Sequence, residues 1–281
     1  MRHRKQLYSF RQGRVSARKY AREQARLRDT LARGFQRRIE TSLNRAVSTI
    51  SKNLSFDGEL PENFSESITE AVTENVSFQV RRIIKSVYQY NDDKYEKPKQ
   101  DFSFGFGRSD LFEAAIAEYI AAREPLFANI SRNIGLRILS EVDTLRNEGL
   151  GVEGIGKGLR SRFRALNKTR AATIARTETH SAAGYAHDRY FRSMTDTFGI
   201  TTIKQWVSTA DARTRSAHVQ MNGAKVSMDE DFIMPNGTRM GFVGDPRGGA
   251  ANVVNCRCVI IYAEAEDVIE DSAPLSDKVD A

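Results

Sequence analysis

The chain has 281 residues, enough for one large or two ordinary domains with a sizeable core. With 40% hydrophobic and 28% charged residues it reads as globular and helix-rich; no apolar run approaches the roughly 18–20 residues of a bilayer span, and the basic start Met1-Arg2-His3-Arg4-Lys5 lacks the apolar stretch of a secretory signal, so the chain is expected on the cytoplasmic side of any membrane. The net charge of +7 is uneven: residues 1–50 hold 14 Lys and Arg against 3 Asp and Glu and the remainder is net negative, which points to nucleic acid or another polyanion as a neighbour.

Residues 1–14 read as a flexible basic arm. Arg4, Lys5, Arg11, Arg14, Arg18, Lys19, Arg22 and Arg26 are the candidate phosphate-contacting residues. From 15 to 54, Leu27, Leu31, Phe35, Ile39, Leu43, Val47, Ile50 and Leu54 recur every three or four residues, which lays one apolar stripe along a helix. Arg22, Arg26, Arg28, Arg33, Arg37, Arg38 and Arg45 are expected on its other faces. After a break at Asp57-Gly58-Glu59-Leu60-Pro61, a second helix is predicted over about 62–90, capped by Asn63 or Ser65, with Phe64, Ile68, Val72, Val76, Val80, Ile83 and Val87 inward.

Residues 91–109 read as a linker carrying Phe102, Phe104 and Phe106 between small residues. A third helix is expected from Asp110 to about Asn147, ended or kinked by Pro125 near Arg123-Glu124 because proline lacks the amide. Leu126, Ile130, Ile134, Ile138, Val142 and Leu145 form its stripe. Beyond Gly149-Leu150-Gly151, a short helix over 152–163 and a longer one over about 168–195 are predicted, the latter with Ala172, Ala175, Thr179, Ala182 or Ala183, and Ala186 inward. From Ile200 the pattern turns to strands, Thr201–Val207 and Cys256–Tyr262, separated by turn signals at Pro235-Asn236-Gly237 and Gly244-Asp245-Pro246. The fold class expected is α+β: a long helical region over 15–148, a small domain over 149–263 with helices packed on an antiparallel sheet, and an acidic tail over 264–281 expected to be disordered.

Chemistry-bearing residues crowd between Trp206 and Cys258. Cys256 and Cys258 would share one strand face, His218 offers a third donor, and Asp211, His180 or His187 a fourth for zinc. A Cys-x-Cys in an apolar strand reads first as two small buried hydrophobes. No four-ligand spacing is evident, so no metal or other cofactor is expected. Arg176 and Glu178 with Asp211, Arg213, Arg215 and His218 contain the acid and base of a hydrolytic centre, but alternating signs satisfy one another without a substrate. They are read as a structural network with Trp206, Cys256 and Cys258. The glycine-rich Gly151–Gly158 lacks the feeding strand and the Gly-Lys-Ser/Thr of a phosphate loop.

The ordered set Ala175-Arg176-Thr177-Glu178-Thr179, Trp206, Asp211-Ala212-Arg213-Thr214-Arg215 with His218, Gly223, Pro235-Asn236-Gly237, Gly244-Asp245 and Asn255-Cys256-Arg257-Cys258 resembles the phage Mu F-like minor head proteins, also called phage head morphogenesis proteins. The resemblance covers about residues 150–263. It implies a structural component of a tailed-phage head, present in few copies, associated with the portal and involved in handling or delivering packaged DNA. The expected partners are the portal protein and nonspecifically bound double-stranded DNA, with scaffold or major capsid protein as further contacts and no membrane during assembly. The expected location is the virion, at the head interior or portal vertex, after assembly in the host cytoplasm. No catalytic residues come with the resemblance, and no enzyme is expected. The alternative is a metal-dependent nuclease or hydrolase acting during packaging through His218, Asp211 and Glu178, with Cys256 and Cys258 on zinc.

Overall fold

A computed structural model describes residues 17–94, 109–199, 201–209 and 211–264. Arg4, Lys5, Arg11, Arg14, the three linker phenylalanines and the acidic tail lie outside the described residues. Four long helices come first: α1 (Ala17–Lys52), α2 (Phe64–Lys94), α3 (Ser109–Asn147) and α4 (Val152–Phe198). A small region of strands and short helices follows: β1 (Thr202–Val207), α5 (Ser216–Gln220), β2 (Lys225–Ser227), β3 (Phe232–Ile233), β4 (Arg239–Met240), a 3-10 turn (Pro246–Gly248), α6 (Gly249–Val253) and β5 (Val259–Glu264). The architecture is α+β. The main sheet is antiparallel in the order β2-β1-β5, with Trp206 opposite Ile260 and Val207 opposite Val259; β3 and β4 form a separate hairpin. No helix among the described residues is long and apolar enough to cross a membrane.

Several helix boundaries differ from the sequence expectation. Asn91–Lys94 extend α2 rather than opening a linker, and Asn91 is buried. Helix α3 runs through Pro125. The missing ladder bond costs about 3 kcal/mol in a helix interior, and the buried Phe127, Ile134, Ile138, Val142 and Leu145 beyond it show what packing offsets that cost. Leu126 and Ile130 are only half-buried, while their neighbours Phe127 and Ser131 turn inward. The two helices expected over 152–195 are one, because nothing between Leu159 and Ala183 breaks a helix and Leu159, Phe163, Ala171 and Ala175 keep one apolar face. Ala172 is half-buried, one position off that face.

The chain forms two compact units, each built from several segments. One comprises Leu31–Arg81 and Ala117–Glu178. Its core is the meeting of helical stripes: Phe35, Ile39, Leu43, Val47 and Ile50 of α1, Ile68, Val72, Val76 and Val80 of α2, and the inner faces of α3 and α4. Polar bonds also join its helices, as in Asn167 Nδ2 to Asn44 Oδ1 (2.9 Å) and Asn75 Nδ2 to Ser42 Oγ (2.9 Å). The other unit comprises Met1–Thr30, Arg82–Ile116 and Thr179–Ala281. It holds the sheet, and Trp206, Phe232, Phe191 and Met240 lie at its centre.

Candidate functional site

Helix α4 enters this second unit as a wholly buried rod: every residue from Thr179 to Asp188 is buried. A helix has no outward face there only if its neighbours come close all round, and its small side chains permit that. A Cβ on Gly184 would overlap the Val243 carbonyl oxygen. From the facing loop, Gly244 adopts φ +81°, and a Cβ there would stand 2.7 Å from Ser181 Cα. Ser181 Oγ donates to Gly244 O across this contact. The loop itself is tied by Asp245, whose Oδ2 accepts from Gly241 N at 2.7 Å while both its oxygens accept from Arg247.

Polar side chains of α4 then reach α1, α2 and the strands. His187 Nε2 meets Gln24 Oε1, and its Nδ1 is 3.1 Å from Asn91 Nδ2. Asp188 Oδ1 lies 3.7 Å from Lys204 Nζ, and Lys204 also donates to Gly241 O at 2.9 Å. Burial pushes the Lys204 ammonium below its ordinary range and the Asp188 carboxyl above, so desolvation outweighs the attraction between them at both ends. Arg28 of α1, expected on a solvent face, is buried. Its guanidinium donates to Cys258 O at 3.0 Å, to Arg257 O at 3.2 Å and to His180 Nδ1. Period alone assigns Arg28 to solvent because helical spacing cannot see a carbonyl arriving from residue 258.

The turn after β1 is built by Asp211. Its Oδ1 accepts from Arg213 N (2.9 Å) and Thr214 Oγ1 (2.9 Å), and its carboxylate pairs with Arg257. Arg215 Nη2 donates to Val254 O at 2.6 Å. Two arginines therefore lash the 211–215 turn to the segment before β5. That turn launches α5, which carries His218 inward against Trp206, the two rings meeting edge to face with centroids 5.5 Å apart. Cys256 and Cys258 lie just ahead of β5 rather than within it, after Asn255 in a left-handed conformation (φ 55°). Both sulfurs nevertheless converge on His218 Nδ1, each at 3.5 Å. His180 stands beside Cys256. The hydrogen bond from the Cys258 thiol, aided by His180 and His218, holds the Cys256 thiol well below the ordinary range, while Cys258 is pushed up by the same bond and by burial.

The structure thus brings together Trp206, Asp211, Arg215, His218, Cys256 and Cys258. Arg213 projects outward, its guanidinium 3.9 Å from Asp211. Arg176 is exposed on α4, and Glu178 pairs with Arg123 of α3 within the helical unit, so neither belongs to this cluster. Burial pushes the Glu178 carboxyl up against the opposing pull of Arg123. Sequence reasoning misses Arg28 and Arg257 as members of this network, since a buried arginine has no periodic signature, and it offers His180 only as an alternative zinc donor because nothing local pairs it with Arg28. Of the basic candidates within the described residues, Lys19, Arg22 and Arg26 are exposed along α1, and Arg18 stands in its first turn.

Residues 138–261 match the family model described as Phage Mu protein F like protein. Among curated proteins, an NAD(+)–arginine ADP-ribosyltransferase of Enterococcus faecalis is similar, 29% identical over 141 residues that make up 50% of this chain and 26% of that protein. The chain therefore spans about a quarter of the length of the curated relative it matches. No solved structure matches the chain. The matched span contains the buried half of α4, most of the sheet and the His218–Cys256–Cys258 centre, and over residues 138–261 the chain carries a Phage Mu protein F-like domain.

Proposed function

We propose that the chain is a portal-associated minor head component of a tailed phage, acting as a structural protein in head assembly and in the handling or delivery of packaged DNA. The family match over residues 138–261 carries this reading. The charge distribution supports the DNA part: α1 keeps Arg22, Arg26, Arg33, Arg37, Arg38 and Arg45 exposed while its other face is core, the arrangement for meeting phosphates without reading bases. The engagement of the candidate carboxylates supports a structural role over a hydrolytic one. Asp211 builds its own turn and holds Arg257, and Glu178 holds Arg123.

Co-purification with the portal protein when both are made together tests the assignment; its absence leaves the reading without its central partner. The DNA role predicts binding to arbitrary duplexes that weakens steeply with salt. Replacing Arg22 and Arg26 by Gln should lower the log–log salt slope by about 0.9 for each phosphate no longer neutralised. An unchanged slope, in a variant whose circular dichroism matches wild type, removes these residues from the interface.

A further inference from the structure

We propose that His218, Cys256 and Cys258 form a binding site for a thiophilic divalent cation, zinc, held by His218 Nδ1 and the two cysteine Sγ atoms. The three donor atoms lie within 4.8 Å of one another and all three residues are buried. The spacing is that of a coordination polyhedron. An ion about 2.3 Å from each sulfur and about 2.0 Å from the nitrogen, at tetrahedral angles, sets each S···N edge at about 3.5 Å, and both S···Nδ1 distances are 3.5 Å. Hydrogen bonding fills this triangle only through a shared bond or a thiol-to-thiol chain. A ring nitrogen with one proton or one lone pair meets two sulfurs only by dividing that bond between them, whereas a cation at the centre serves all three donors in full. Two thiolates and an imidazole form a soft set, which favours zinc over magnesium or calcium.

The surroundings hold the donors in place. His218 is braced by Trp206, and the Cys256–Cys258 backbone is gripped by Arg28 at the carbonyls of Arg257 and Cys258. Arg28 has donors only, so its bond to His180 Nδ1 leaves the His180 proton on Nε2. That Nε2 is buried, and the ring stands beside Cys256, near enough to share a hydrogen bond with its sulfur. His180 is thereby a positioning residue, giving an N–H to the bound sulfur from outside the coordination shell, in the manner of the outer partners that orient metal ligands. No fourth His, Cys, Asp or Glu among the described residues joins the group. The ion would tie α5 to the segment entering β5. This goes beyond the role in the phage head and does not depend on it.

The full chain, purified with reduced thiols, is expected to retain one equivalent of zinc by elemental analysis. After chelation, cobalt(II) should restore binding with a thiolate-to-metal charge-transfer band and the intense visible bands of four-coordinate geometry. Cys256→Ser, Cys258→Ser and His218→Ala should each weaken binding by more than tenfold. His180→Gln should keep the one-to-one ratio with affinity lower by about 10–100-fold; complete loss of metal in that variant overturns the placing of His180 outside the coordination shell. Should the ligand variants fail to fold, the cobalt titration of wild-type protein decides alone. A chelated, folded, reduced wild type that gives no thiolate charge-transfer band overturns the site, as does unchanged affinity in the Cys256→Ser/Cys258→Ser pair.

Discussion

The two units are held together by different physics. In the helical unit, sequence neighbours three or four apart supply the core, and each stripe needs only another stripe to bury it. In the unit with the sheet, residues 179–188 of α4 are buried on every side and bring polar groups with them, so their order depends on partners from residues 24, 28, 91, 204 and 244. A repeating apolar pattern tolerates substitution of like for like. A buried polar junction does not, because each group deprived of its partner keeps the full cost of leaving water.

The sharpest way to break this contrast is the one buried ion pair described in the helical unit. Glu178→Ala leaves the Arg123 guanidinium buried without its carboxylate and should cost about 3–5 kcal/mol in urea unfolding. If apolar periodicity governs that unit, Glu178→Leu combined with Arg123→Met should recover most of the loss. A double variant no better than Glu178→Ala would show that the unit depends on polar specificity after all. In the sheet unit, Gly184→Ala forces a methyl group into the Val243 carbonyl and should cost about 1–3 kcal/mol. A melting temperature equal to wild type would mean that the α4–loop packing yields without penalty.

The smallest effect expected is a pH dependence. Burial holds Lys204 below its ordinary value of 10.5 in the folded protein. Between the folded value and 10.5 the unfolded chain binds more protons than the native one, so this residue makes stability rise with pH across that window. Lys204→Met should remove that rise and leave a flatter profile in urea titrations. Parallel profiles for variant and wild type would mean that Lys204 titrates alike in both states.

The stripe positions from Phe35 to Ile50, from Ile68 to Val87 and from Ile134 to Leu145 were legible because burial on a helix follows a local period. The α+β order was legible because β-branched and turn residues cluster after residue 200. The crowding of Trp206, Asp211, His218, Cys256 and Cys258 marked where polar chemistry gathers. Whether α3 stops at Pro125 or runs through it was not legible, since a local penalty of about 3 kcal/mol is weighed there against packing that no window of sequence contains.

What the sequence determined by itself is therefore what depends on near neighbours: helical faces, strand and turn positions, the asymmetry of charge, and the motif order that marks the family. Tertiary structure alone decided which charges go inside. Arg28 and Arg26 are two positions apart on one helix, yet one grips the Cys258 carbonyl and the other faces solvent. Glu178 and His180 are likewise two apart, and one pairs with Arg123 while the other stands beside Cys256. The physical reason is that a buried polar group is stable only beside its partner, and these partners lie 55 to 230 residues away in the chain.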